Sequence, residues 1–315
     1  MGRFIAIRLL SLLPILLGAS ILIFSIVHMV PGDVVDIMIG DQSHGDTTAA
    51  AKLRKDLHLD RPVYQQYLLW LWNVLHGDFG MSFTTRHPVL NEILKRLPVN
   101  IELTLIALLF AVGLGIPIGV YSAVNHLTWK DSIIRVFSVM TYAIPNFWLA
   151  TLIVLVGSLY IKSLPVLSYV PFSENPLSNI KFMIIPGFVL SCTLFPIVVR
   201  MTRSSVLENL RLDYVRTARA KGLNGRIILY RHVLKNSLIP VINVIGLQMG
   251  VLIGGLVLTE EVFVLPGVGR LMLEAIQKRD FMIITGTMLV ITVTFVLITL
   301  LIDMLHAYLD PRIRY

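Results

Sequence analysis

The chain has 315 residues, of which 56% are hydrophobic and only 15% charged, with a mean hydropathy of +0.78. Soluble chains carry about 25% charged residues, so two ordinary water-soluble domains are excluded and the chain is an integral membrane protein. The net charge of +8, from 27 Lys and Arg against 19 Asp and Glu, does not indicate nucleic acid. The basic residues lie between hydrophobic spans, where they report the bias of Lys and Arg toward cytoplasmic connections. A single cysteine, Cys192, excludes an internal disulfide and sits in an apolar segment as a packed thiol.

Six segments are long and apolar enough to cross a hydrocarbon core of about 30 Å, which takes about 20 helical residues. They are Leu9–Val30, Ile101–Ala123, Val136–Tyr160, Phe182–Val199, Leu238–Leu258 and Phe281–Ile302. The first is longer than the core of a secretory signal, and Pro31-Gly32-Asp33 stands where a cleavage site would fall. It is read as a retained anchor. The sequence thus divides into residues 1–100, a first transmembrane helix plus an external segment, and residues 101–315, a five-helix core.

In the external segment, Pro62 opens a helix in which Tyr64, Tyr67, Leu68, Leu71, Trp72 and Leu75 recur at helical spacing. Aromatic side chains favour the membrane–water boundary, so one reading is an interfacial helix on the outer leaflet. The other is docking of an external protein, with Trp72, Asp78 and Phe79 as candidate contacts. Further on, Gly115 and Gly119 in the second span, and Gly246, Gly250 and Gly254 in the fifth, repeat every four residues and line one helix face. Such faces serve close helix packing or a sliding, gating contact. Pro117, Pro145, Pro186, Pro196 and Pro240 mark positions where helices kink.

Loop charge sets direction. With the N-terminus inside, the inner segments hold Arg3, Arg8, Lys130, Arg135, nine basic residues from Arg200 to Lys235, Arg312 and Arg314. Against these stand only Asp131, Glu208, Asp213, Asp303 and Asp310. Both termini are therefore placed in the cytoplasm.

Several chemistries are missing from the sequence. There is no Gly-x-x-x-x-Gly-Lys-Ser/Thr loop, so ATP is not held through a P-loop. There is no His-Glu-x-x-His or Cys-x-x-Cys pair, and His44, His58, His76 and His87 are too widely spaced for a local chelate. Glu102 and Asp303 fall at the ends of spans, which leaves no ionisable relay at mid-membrane. Energy for uphill transport would have to come from a partner.

The longest inner connection, about residues 202–237, carries the most information. Ser204 and Ser205 precede a helical run with Leu212, Val215 and Ala218 on one face and Arg211, Arg216 and Arg219 on others. Gly222 supplies a left-handed stop. A second run, Arg226 to Asn236, leads to Pro240 at the start of the fifth span. The first helix suits a lever inserted into a groove on another protein. It equally suits a basic amphipathic helix on anionic lipid.

The stretch Asp213-Tyr214-Val215-Arg216-Thr217-Ala218-Arg219-Ala220-Lys221-Gly222-Leu223, followed by His232, Asn236 and Pro240, resembles the "EAA" coupling loop of ABC-importer permeases. It is most similar to the dipeptide/oligopeptide/nickel branch. Pro31-Gly32-Asp33, the run Leu57 to Tyr67, Gly77-Asp78-Phe79-Gly80, Glu261-Val262-Phe263, Pro266 to Leu271 and Asp310 to Arg314 resemble that branch in order along the chain. Three departures stand out. Arg216 or Thr217 replaces the Glu that names the loop, the distance from Gly222 to Pro240 is longer than in sugar permeases, and Leu265 stands where an aromatic is common.

The resemblance implies a type I ABC-importer permease fold, all-α with six transmembrane helices, in the bacterial inner membrane. It implies a second homologous permease chain, two ATPase subunits and an external solute-binding protein as partners. It assigns Asp213, Tyr214, Arg216, Thr217, Ala218, Arg219, Ala220, Lys221, Gly222 and Leu223 to ATPase coupling. No catalytic residue, metal or cofactor is assigned to this chain, since the ATPases bind ATP and Mg. The implied solute is a di- or oligopeptide. Nickel, a nickel chelate or glutathione are alternatives, and Pro145-Asn146-Phe147-Trp148 has a nickel-permease resemblance. A stand-alone channel or carrier, and a membrane anchor that recruits a signalling protein, are the readings from other classes.

Overall fold

The computed structural model describes residues 2–29, 60–160 and 169–309. Pro31-Gly32-Asp33, His44, His58 and Asp310 to Arg314 lie outside the described residues. Ten helices are labelled here in chain order. They are α1 (Gly2–Met29), α2 (Val63–Leu75), α3 (Val89–Val124), α4 (Trp129–Ala143) and α5 (Asn146–Tyr160), then α6 (Pro176–Asn209), α7 (Asp213–Ala220), α8 (Leu234–Val262), α9 (Val268–Gln277) and α10 (Phe281–Leu309). A single turn, Gly225–Ile227, and a π-helical run, Ile228–Val233, lead into α8. Among the described residues the extended pairing is limited to one isolated bridge, Met81 with Pro88.

Five helical stretches are long and apolar enough to span a bilayer, and α4 with α5 makes a sixth if counted as one broken span. The expected third span, Val136–Tyr160, is thus not one straight helix, because α4 and α5 meet at 91°. The cause lies at Ile144 and Pro145. Proline disfavours helical backbone in the residue before it, and Ile144 is extended at φ −77° and ψ 122°. The other prolines expected to kink their helices, Pro117, Pro186, Pro196 and Pro240, sit inside unbroken helices.

Several helices run past their apolar windows. The second begins at Val89 and the fourth continues to Asn209. Ser204 and Ser205 are therefore interior residues of α6 and not the start of a new helix.

The described chain forms two compact units, one of residues 99–265 with the part of α10 from Leu297, the other of Gly2–Pro98 with Pro266–Val296. In the first unit α6 is the spine, for most of its apolar stretch is buried. Phe182, Met183, Leu190, Leu194 and Val198 lie in one apolar cluster with Leu103 and Ala107 of α3 and Leu252 and Leu256 of α8. Lipid tails are as apolar as leucine, so such packing depends on close fit and not on escape from water.

Glycines supply the fit. A Cβ on Gly115 would come within 2.8 Å of Val198 Cγ1. On Gly119 it would come within 2.7 Å of Thr202 Cβ and 2.8 Å of the Val199 carbonyl oxygen. Gly187 of α6 likewise abuts Ile106 of α3.

The second unit packs Val89 and Ile93 of α3 against Val268, Leu271 and Ala275 of α9 and Ile283 of α10. Asp280, fully buried, fixes its loop. One carboxylate oxygen accepts from Ser82 Oγ (2.7 Å), Thr84 Oγ1 (2.8 Å) and the Thr84 amide (3.0 Å). The other accepts from the Ile283 amide at the start of α10 (3.3 Å). In the same unit α2 rests on α1, with the Tyr67 and Ser20 hydroxyls 2.9 Å apart and the Tyr67 ring edge-on to Phe24.

Gly119→Leu is expected to destabilise the chain by roughly 1–3 kcal/mol, the usual cost of overpacking, because backbone stands on one side of the added carbon. Thermal unfolding in mild detergent checks this, and an unchanged midpoint would contradict the close contact.

Candidate functional site: the helix between α6 and α8

Helix α7 is short, but both its ends and one of its faces are defined. Leu212 precedes it in extended conformation at φ −73° and ψ 152°, and is itself exposed. Val215 and Ala218 are buried in a second apolar cluster with Val120 and Ala123 of α3, Val206 of α6, and Ile228 and Val233 of the π-helical run. The expected three-residue apolar face is therefore two residues deep. Tyr214, half-buried, donates its hydroxyl to Asn209 Oδ1 at 3.1 Å, which ties α7 to the end of α6.

The opposite face is free. Arg216, Thr217, Arg219, Ala220, Lys221 and Leu223 are all exposed, as is Asp213, whose carboxylate meets Arg216 at 3.2 Å. That surface pair is worth little in water.

The stop at Gly222 has the expected form. Gly222 takes a φ of +77°. Its amide donates to the Arg219 carbonyl (2.9 Å), and the Leu223 amide donates to the Ala218 carbonyl (3.3 Å). This is the paired arrangement of a Schellman cap. A Cβ at Gly222 would meet nothing within 4 Å, so backbone conformation and not space asks for glycine there.

An ion-pair cluster holds the end of α6 from which α7 hangs. Asp131 of α4 is 1% exposed. It accepts from Arg203 Nε (2.7 Å) and Nη2 (2.8 Å) and from Ser122 Oγ (2.6 Å). Arg203 Nη2 also donates to His126 Nδ1 at 3.0 Å, and Arg135 lies 3.7 Å from Asp131. Nothing at Asp131 itself announces a partner 72 residues away.

The other ends of these helices are joined by amides and carboxylates. Asn100 donates to Glu260, which is fully buried, at 2.9 Å. Asn179 donates to Glu102 at 3.1 Å and to the Val170 carbonyl at 2.9 Å. Burial first, then the nearby carboxylates of Glu102 and Glu174, pushes the Tyr169 phenol up to about 12. At the bend, Asn146 donates to Thr193 of α6.

The remaining candidates separate. Gly115 and Gly119 lie at tight helix contacts, and a Cβ on Gly246 would stand 2.6 Å from Ile302 Cγ2 of α10. Gly250 lies in the same helix α8, as does Gly254, whose surroundings are outside the described residues.

Of the candidate docking residues, Trp72 is exposed on α2 in a stripe with Tyr64, Leu68 and Leu75. Asp78 is exposed and its carboxylate accepts from the Gly80 amide at 2.9 Å, so it shapes a turn. Phe79 packs against the apolar cluster of its own unit. Leu265 is fully buried, as is Phe263, and between them Val264 is held at a φ of 55° that a β-branched residue rarely adopts.

Comparison with known sequences gives the family. Residues 115–315 match the binding-protein-dependent transport system inner membrane component family, and residues 1–104 match the N-terminal family of the same membrane components. The chain belongs to this family. It is 38% identical over 338 residues to the dipeptide transport system permease protein DppB of Escherichia coli K12, covering 100% of this chain and 99% of that one. It is also 38% identical over 332 residues to the dipeptide permease protein DppB of Alkalihalophilus pseudofirmus, with 98% of each chain covered. The protein is accordingly a multi-pass transport subunit of the bacterial inner membrane, acting within a binding-protein-dependent system.

Removing one partner of a buried ion pair leaves the other unpaired, at a cost of about 3–5 kcal/mol. Asp131→Ala is therefore expected to lower the unfolding temperature in detergent. It should also speed limited proteolysis between Asn209 and Gly225, because α7 hangs from the helix end that Arg203 secures. Wild-type proteolysis would show that α7 is held by Val215 and Ala218 alone.

Proposed function

We propose that the chain is one of two homologous permease subunits of an ATP-driven importer of di- or oligopeptides, with both termini in the cytoplasm. An external binding protein delivers the solute, and two ATPase subunits dock beneath the permease pair. The observation that carries this reading is α7, fixed by Val215 and Ala218 on one side and bare from Arg216 to Lys221 on the other.

A helix anchored in this way moves as a unit with the ends of α3 and α6. Force applied to its free face therefore reaches the spans instead of bending a loop. ATP-driven closure of the ATPases would push this face, and the membrane helices would switch from inward- to outward-facing. The names of the relatives support peptides as the solute class. The chain itself performs no covalent chemistry in this scheme. ATP and Mg are held by the ATPases, and the distribution of Lys and Arg supports the cytoplasmic placement of α7.

Two experiments test the reading. Purification of the tagged chain from its native membranes in mild detergent should recover a second permease and two ATPase chains. Recovery of this chain alone, active in solute flux after reconstitution, would instead establish a stand-alone carrier. In proteoliposomes of the full assembly, Gly222→Val should uncouple ATP hydrolysis from peptide uptake, since a β-branched residue resists positive φ. Gly222→Asn, which tolerates that conformation, should retain most of the coupling. Equal, full coupling in both variants would refute the lever.

A further inference from the structure

Between α4, α6 and α8 lies a cavity of about 340 Å³. Tyr142, Arg200, Ser204 and Gln248 supply its polar wall, with Ile197 and Val244 among the apolar residues beside them. Small-molecule sites start at about 300 Å³, so one or two amino-acid residues fit. All of these side chains belong to helices long and apolar enough, alone or as the bent pair, to cross a membrane, and Arg200 directly follows the apolar run that ends at Val199.

Arg200 and Arg203 of α6 make the contrast. Arg203 is neutralised by Asp131 at 2.7 Å. Arg200, one turn earlier, is exposed and has neither an ion pair nor a hydrogen bond among the described residues, and no acidic side chain lines the cavity. A guanidinium is a planar fork that fits a carboxylate through two parallel hydrogen bonds. Ser204 stands four residues on, hence on the same helix face. Tyr142 and Gln248 bring a hydroxyl and a carboxamide from α4 and α8, which suits the amide groups of a peptide.

The position also fits transport. Helix α6 leads into the coupling helix α7, and α8 leads away from it. Two walls of the cavity are therefore the two helices that a displacement of α7 would move.

We propose that this cavity is a station on the solute's path, in which Arg200 holds the free carboxylate of a short peptide and Ser204, Gln248 and Tyr142 hydrogen-bond its remaining polar groups. The assignment rests on the peptide-import reading above.

The test uses the complete transporter in proteoliposomes, with a dipeptide as solute. Arg200→Gln should lower dipeptide uptake per ATP hydrolysed about tenfold, the loss expected for one charge-assisted contact, and Arg200→Lys should restore part of it. A second measurement does not alter Arg200. Ser204→Cys in a Cys192→Ser background is labelled with 2-sulfonatoethyl methanethiosulfonate, and dipeptide turnover should slow the labelling severalfold.

Wild-type uptake by Arg200→Gln, or labelling indifferent to dipeptide, overturns the assignment while leaving peptide import intact. Absence of dipeptide uptake by the unmodified transporter overturns the peptide reading and this proposal together. Labelling slowed by phosphatidylglycerol in the vesicles, but not by dipeptide, overturns it in favour of a lipid headgroup site.

Discussion

The close approach of α3 to α6 is the contact on which the first unit depends. In lipid there is no gain from removing apolar surface from water, so two helices stay together only where their atoms fit and their polar groups find one another. Gly115 and Gly119 let α3 reach the backbone of α6 at Val199 and the side chains of Val198 and Thr202. Gly187 provides the reciprocal notch for Ile106. The rest of that unit is arranged around the buried spine this creates, which is why α6 is largely enclosed.

Glycine contacts by themselves would allow sliding. Polar contacts near the two ends of the α3–α6 pair add direction and register. At one end Asp131 gathers Arg203, Ser122 and His126 from three parts of the chain, and at the other Glu102 and Glu260 take hydrogen bonds from Asn179 and Asn100. Buried charges are costly unless paired and hydrogen-bonded, so these groups specify one arrangement of the helices more than they add net stability. Between these two ends, Asn146 at the bend adds one more tie, to Thr193 of α6.

That division has a mechanical consequence. Helix α7 is fixed to the end of α6 by Tyr214 and to its surroundings by Val215 and Ala218. Its Schellman cap at Gly222 then turns the chain toward the π-helical run and α8. A short helix with a rigid entry and a rigid exit transmits a push with little loss, whereas a flexible loop of the same length would absorb it. The π-helical run at Ile228–Val233 adds residues without a break in the helix and buries Ile228 and Val233 in the same cluster.

Composition alone determined that the chain lives in a membrane, because 56% apolar residues cannot be hidden from water in a chain of 315. Local pattern determined the apolar segments other than the break in the third, the helix after Pro62, the stop at Gly222 and the small residues Gly115, Gly119 and Gly246 at close contacts, since each rests on spacing or on one residue's backbone preference. The order of motifs along the chain then pointed to the transport family. What needed tertiary structure was whatever joins distant residues or depends on a neighbour. Asp131 meets Arg203 across 72 residues, and Asp280 meets Ser82 across 198. The 91° bend falls at Pro145, while α6 continues unbroken through Pro186 and Pro196, so a proline in the sequence does not by itself say which helix breaks. The same holds for Arg200, which reads in sequence as one more basic residue of an inner connection. Only folding separates it from its paired neighbour Arg203 and places it in a polar cavity, because charge counts along a chain carry no information about which charges are neutralised.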